Sequence, residues 1–501
     1  MTGDAVLVGL DLGTTVCRSI VFDQKMQILA SASRHLPIST LSGTEIEQSA
    51  ELWWETSAAV IRESLQGLDI RPGRVCGISV SSQGLSFVPV NDSCEPMRSA
   101  FSWMDTRAVM QRRHIAEKIG EERIFAITGK RCHETYVLPK LLWLKENQRQ
   151  LYDSCAKILM PLDFVIARLT GEYVTDHTMA SGTMFYDVVR GQWSQEILSA
   201  FDVDARKLPE LRYSGTAVGG LRAVASEALQ LPRGVVVSVG GQDQKVAALG
   251  AGIDLRRTTI SLGTAMAITQ KSRQPVIDRL RRVPCFADLL RDHWVLEGSA
   301  VCCSILEWVR QSFLPDKGYD DLNRLVAEAG AWKEAPFLLP FFSGALSPFY
   351  DSSAQGTLHG LNLSTSPGQI VRGVYEGIAF LVRANVEVMS KISRPVEELR
   401  IFGGGSRSDQ WCQIIADVTE RTVSTLQTSE CASTGAAILA GLGGGVFQGL
   451  EQPFAYIRTR RSFEPDQSRF ELCRERYAEF QDLRGRLGGN AECQEGLGWV
   501  D

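Results

Sequence analysis

Residues 5 to 23 read AVLVGLDLGTTVCRSIVFD, and residues 257 to 269 read RTTISLGTAMAIT. Each stretch has an apolar strand, a tight turn and a second strand. In the first, Val16, Arg18, Ile20 and Phe22 alternate with a period of two, which marks a β-hairpin. Leu12-Gly13-Thr14 and Leu262-Gly263-Thr264 stand half a chain apart, so the pair points to an internal duplication with one hairpin leading each half. A chain of 501 residues is also longer than one hydrophobic core usually organises, and two domains with a cleft between them are expected. We place them at residues 1–251 and 252–486. Residues 487–501 hold several glycines and no clear period, and are expected to form a flexible tail.

The composition, 44% hydrophobic and 22% charged, is that of an ordinary soluble globular protein. The net charge is −5, and no long basic run precedes Arg458 to Arg461. Neither nucleic acid nor an anionic membrane is therefore expected as the main partner. The N-terminal MTGDAVLVGLDLG lacks the basic start of a signal peptide, and no apolar stretch approaches the roughly 18 residues of a membrane span. The 12 cysteines are scattered, with Cys302–Cys303 the only tight pair. This predicts a cytoplasmic protein whose thiols are mostly small buried hydrophobes. The 6 histidines are dispersed too, which argues against a zinc site.

A Gly-Thr turn brings backbone N–H groups and hydroxyls close to an anion, so Gly13, Thr14 and Thr15, with Gly263 and Thr264, suit nucleotide phosphates. Asp11 precedes the first turn where Ser261 precedes the second. An acid beside a phosphate clamp suggests Mg²⁺ held through water. A third glycine site, LRIFGGGSRSDQWCQIIADVTERTV at 399 to 423, has a strand ending in Gly403-Gly404-Gly405 and a helix starting near Ser408. Bare backbone there suits the adenosine end of ATP. In SVGGQDQKVAALGAGI, 238 to 253, Asp243 sits between a valine-rich strand and a helix, where α/β sheets place ligands. From the local sequence alone it is as good a helix cap as a catalytic base.

Taken together these segments resemble the FGGY carbohydrate kinases, almost from end to end. The resemblance runs through DLGTT at 11 to 15, EQSAELWW at 47 to 54, FSWMDTR at 101 to 107, PKLLWLKE at 139 to 146, GGQDQ at 240 to 244, GTLHGLNL at 356 to 363 and GGGSRSD at 403 to 409. It implies an α/β, actin-like (ribonuclease H-like) ATPase fold of two duplicated domains closing on ATP and a sugar. It also implies that Asp243 is the catalytic base and shares Mg²⁺ with Asp11, that Gly404, Gly405 and Asp409 belong to the ATP site, and that family members form dimers or tetramers, so that a homodimer is expected. On the acceptor side it implicates Gln83, Gly84, Trp103, Asp105 and Gln244 beside Asp243. Glycerol kinases follow the glutamine with Arg-Glu and xylulose kinases with Met-His, whereas this chain has Gly84-Leu85. The expected reaction is phosphorylation of a primary hydroxyl of a ketopentose such as xylulose, with a polyol kinase as the alternative.

A second class, an actin-like nucleotide switch that phosphorylates no small molecule, is opposed by FSWMDTR and the loop around Gln83. A catalytically weak paralogue is opposed by intact Asp11 and Asp243. Lys245 lies outside the resembling motif and reads as a surface or interdomain ion-pair residue. Ser49 to Gln66 reads as an amphipathic helix with core tryptophans, and 366 to 389 as a long packing helix capped by Ser366, with Glu376 structural. Residues 465 to 486 read as a charged helix on the surface.

Overall fold

The computed structural model describes residues 5–68, 73–330 and 332–487; beyond Leu487 the expected tail lies outside them. The first hairpin pairs β1 (Val6–Leu12) with β2 (Val16–Asp23), and β3 (Ile28–His35) extends it. On the other side of β1 runs β4 (Val75–Ser82), parallel to it. β5 (Ala217–Gly220) and β6 (Val236–Ser238) follow, β6 parallel to β4 and β5 antiparallel at the edge. The sheet order is β5-β6-β4-β1-β2-β3, and Gly241–Gln242 adds a short parallel pairing to β4.

The second sheet repeats the plan. Its hairpin is β7 (Arg257–Leu262) and β8 (Ala265–Ser272), extended by β9 (Cys285–Ala287) and β10 (Trp294–Val301). Parallel β11 (Glu398–Phe402) and β12 (Thr422–Leu426) lie beyond β7, with antiparallel β13 (Thr459–Phe463) at the edge. The order is β9-β10-β8-β7-β11-β12-β13. In both sheets the hairpin's first strand has its antiparallel mate on one side and two parallel strands on the other. The duplication read from Leu-Gly-Thr is thus carried by the topology as well.

Helices cover the sheets. They include α1 (Ala50–Leu65), α2 (Asp243–Gly250), α3 (Cys303–Phe313), α4 (Pro367–Ile392), α5 (Asp409–Thr419), α6 (Cys431–Gly443) and α7 (Phe470–Leu487). The Ser49 hydroxyl caps α1, and Trp53 and Trp54 are buried as core. Because α1 packs on β2 and β3 while α6 packs on β1 and β4, successive residues of β1 from Val6 through Leu7, Val8 and Gly9 to Leu10 are buried on both faces with no exposed alternation. Ser366 and Gln369 form a capping box for α4, with Pro367 in its first turn. Glu376 on α4 is buried between Arg372 at 2.9 Å and Arg476 at 2.7 Å, a structural ion network.

α6 belongs by sequence to the second half yet lies on the first sheet and crosses α2. At the crossing the backbones touch: a methyl group on Gly435 would overlap the Val246 carbonyl, and one on Gly250 the Cys431 carbonyl. α7 corrects the sequence reading, because it is not a purely surface helix. Cys473, Arg476, Tyr477, Phe480 and Leu483 form a buried stripe at helical spacing under its charged face. Among the described residues no helix is long and apolar enough to cross a membrane, and the cysteines are free thiols, most of them buried.

Candidate active site

Strand register builds the centre. Asp11 stands beside Ser81, and Ser81 beside Gly241, at the carboxyl ends of parallel strands. Asp11 and Gly241 are therefore two strand spacings apart, roughly 10 Å, on the edge where open α/β sheets bind ligands. Asp243 is the first residue of α2 and Gln242 its cap, so the acid is not serving as the cap residue. Its Oδ1 accepts the Gln244 N–H at 2.7 Å and the Gln242 side-chain Nε2. Among the described residues its Oδ2 has no hydrogen-bond partner. Burial pushes the Asp243 carboxyl up to about 7, and the nearby negative charge of Asp11 adds to the effect. Burial likewise pushes Asp11 up to about 6, opposed by the Ser81 hydroxyl donating at 3.0 Å.

Two neighbouring carboxylates of this kind fit a divalent cation. Among the described residues no group of three or more His, Cys, Asp or Glu side chains could hold a metal. A pair of carboxylates instead suits Mg²⁺ that keeps most of its water and phosphate ligands.

The first Gly-Thr turn is wired to the loop after β4. Trp103 Nε1 donates to Thr14 Oγ1 at 2.9 Å, and Gln48 Nε2 to the Thr14 carbonyl at 2.7 Å. Gln83 Nε2 donates to Gln48 Oε1 at 2.8 Å, and Gln83 N to the Leu12 carbonyl at 2.9 Å. Trp103 is 40% exposed, although its indole N–H is held by Thr14. Gly13 closes its turn through N–H to Val16 O, with Thr15 exposed beside it.

The second turn meets the glycine triplet. Gly403 and Gly405 press against Leu262, and Gly404 is exposed. Cys303, the first residue of α3, donates its N–H to the Gly263 carbonyl at 3.0 Å, and the Thr264 carbonyl accepts from Cys302 N and Ser304 Oγ. The Cys303 thiol is held below the usual range by the Cys302 S–H and the Gly405 N–H. α2 packs on β7 and β8 as well as on β4, and so runs from Asp243 to the second hairpin.

Three of the expected site residues have polar groups engaged by the protein itself. Asp105 is fully buried, its carboxylate taken by Arg107 at 2.7 Å and by the Ile46 N–H at 2.8 Å, so it braces the Trp103 segment. Gln83 is 1% exposed with its amide turned to Gln48. Asp409 is paired with Arg460 at 2.6 Å and Arg461 at 2.5 Å, which holds its carboxyl below the ordinary range despite partial burial. Lys245 is buried and bridges the halves, pairing with Glu297 at 2.9 Å and lying 3.7 Å from the Phe286 ring centroid.

Other residues escaped the sequence reading. Lys140, in PKLLWLKE, is fully buried and donates to the carbonyls of Leu85 at 2.9 Å and Ser102 at 2.7 Å, pinning both acceptor-side segments. Burial pushes its ammonium down to about 7. Gln48 and Gln242 were missed as well, because their partners come from remote segments.

Two repeated sheets, each led by a Gly-Thr turn, define an actin-like ATPase fold, and the carboxylate of Asp243 lies at the junction between them. Residues 6–250 match the N-terminal domain, and residues 258–443 the C-terminal domain, of the FGGY family of carbohydrate kinases. The chain belongs to this family and is a carbohydrate kinase. It is similar to the xylulose kinase of Bacillus subtilis (strain 168), 28% identical over 491 residues that cover 96% of this chain and 98% of the other. The glycerol kinase of Thermococcus gammatolerans is 28% identical over 467 residues, covering 92% and 93%. The crystal structure of xylulose kinase from Rhodospirillum rubrum superposes with a TM-score of 0.89 at 27% identity, covering 96% and 99%.

Proposed function

We propose that this protein transfers the γ-phosphoryl group of ATP to a primary hydroxyl of a ketopentose, with xylulose the leading acceptor and Asp243 the base. The observation that carries the reading is the state of the Asp243 carboxylate: Oδ1 is held by two donors and Oδ2 is left for a proton. In the transfer the alcohol oxygen bonds to the γ-phosphorus, the bond to the ADP oxygen breaks, and the alcohol proton passes to Asp243 Oδ2.

Residues 1–251 and 252–486 supply the two lobes. The turns at Gly13, Thr14 and Thr15 and at Gly263 and Thr264 cradle the phosphates, and Gly404 and Gly405 border the adenosine. Asp11 and Asp243 would hold Mg²⁺ through water; the ion's chemistry is to neutralise charge on the phosphate oxygens. Trp103 offers an aromatic face to the C–H surface of the sugar, and Gly84 and Gln244 contribute to the acceptor end of the site. Closure of the lobes excludes water, so that ATP is not hydrolysed.

The xylulose kinase relatives favour a ketopentose. The polyol reading is kept because a glycerol kinase matches at equal identity. ADP release from Mg·ATP across D-xylulose, D-ribulose, xylitol, erythritol and glycerol separates the two. One ketopentose far above the rest supports the proposal. A polyol in first place replaces the acceptor, and ADP release indifferent to every compound removes the proposed reaction.

A further inference from the structure

Gln242 is held from three sides. Its backbone N–H donates to Thr178 Oγ1 at 2.9 Å, and that hydroxyl donates to the wholly buried Asp176 at 2.6 Å. Asp176 is fixed in turn by the backbone N–H groups of Thr178 and Met179 and by the Ser214 hydroxyl. The side-chain Nε2 donates to Asp243 Oδ1, which fixes the orientation of the amide, since only its NH₂ end can face a carboxylate. The carbonyl end is therefore fixed too. Gln242 Oε1 is buried and has no donor among the described residues. A buried acceptor without a donor costs about 1–3 kcal/mol, and in a ligand site the donor is supplied by the ligand.

The same amide lies against Gly84. A Cβ there would stand 3.0 Å from Gln242 Cγ and 3.6 Å from Nε2. Residue 84 belongs to the acceptor-side loop pinned by Lys140, so Gln242 fills the space that a side chain on this loop would otherwise take. Its amide thus lies between the base and the acceptor loop.

We propose that Gln242 is a specificity-determining residue whose carbonyl oxygen receives a hydroxyl of the acceptor sugar or polyol, and that Gly84 leaves it room to do so. The inference rests on the reading of Asp243 and the Gly84 loop as the acceptor end of the cleft. The ligand chemistry is a polyhydroxylated carbon chain with an O–H donor near the hydroxyl that is phosphorylated.

The test compares wild type, Gln242→Met, Gly84→Ala and Asp243→Asn in steady-state kinetics with D-xylulose, D-ribulose, xylitol, erythritol and glycerol. Gln242→Met should raise KM for the best acceptor about tenfold, as loss of one hydrogen bond does, and flatten the ranking of acceptors, while KM for ATP stays within about twofold. Gly84→Ala, which crowds the amide without removing it, should shift the acceptor KM in the same direction, by less. Wild-type acceptor KM and ranking in a folded Gln242→Met protein overturn the inference. Asp243→Asn keeps the two readings apart. If it retains normal turnover the base assignment fails, and the acceptor KM of Gln242→Met still decides the role of Gln242. If no compound supports turnover in wild type, both readings fall together.

Discussion

A buried carboxylate can be an acid, a base or a brace, and its neighbours decide which. Asp105 braces because Arg107 occupies it; Asp243 is left with an open oxygen and a raised pKa. Asp163 is a further buried acid, pushed by burial up to about 8, that serves the fold alone by accepting the Met160 N–H at 2.8 Å. Its folded form holds a proton that the unfolded chain releases near pH 4. The native state thus binds more protons between pH 4 and 8, and its stability falls as pH rises through that window. Asp163→Asn, which keeps the accepting oxygen, should flatten the dependence of Tm on pH between 5 and 8, as thermal melts at several pH values would show. Parallel melting curves for both proteins would refute this. Asp11→Ala should raise the Mg²⁺ concentration needed for half-maximal turnover, with little change in acceptor KM; an unchanged Mg²⁺ titration would count against the role given to Asp11.

Asp11 and Asp243 were legible because each interrupts an apolar pattern at a turn. The facing of Asp105, Gln83 and Asp409 was not, since partners such as Arg460 arrive from distant sequence. Lys140 and Gln242 were hidden for the same reason.

At the scale of elements, both hairpins, the Ser366-capped helix and the helix at Ser408 followed from period and capping chemistry. α7 was misplaced because its many charges masked the stripe of Cys473, Tyr477, Phe480 and Leu483. The start of α3 also carries a signal that spacing could not show. Cys303 stands between the Gly263 turn and the Gly405 N–H, with its thiol held below the ordinary range. If these turns hold ATP, iodoacetamide should label Cys303 in the free enzyme and Mg·ATP should slow that labelling several-fold, as peptide mass spectrometry would measure. Equal labelling rates with and without nucleotide would place ATP elsewhere.

At the scale of the whole molecule, the duplication was visible in two short motifs, but the exchange of α6 onto the first sheet was not, because Gly250 and Gly435 meet only in three dimensions. With backbone against backbone at this crossing, Gly435→Val should destabilise the protein by about 1–3 kcal/mol or more through overpacking. A Tm equal to that of wild type would show that the crossing is looser than described. The two halves are further joined by the Lys245–Glu297 pair, whose lysine lies on α2, the helix that begins at Asp243.

The central claim, that Asp243 accepts the proton of the acceptor hydroxyl, is tested most directly by single-turnover phosphoryl transfer in Asp243→Asn with saturating Mg·ATP and D-xylulose, alongside nucleotide binding. The account predicts ATP affinity within a few fold of wild type and transfer slower by several powers of ten. Transfer at close to the wild-type rate, with ATP bound normally, would contradict it.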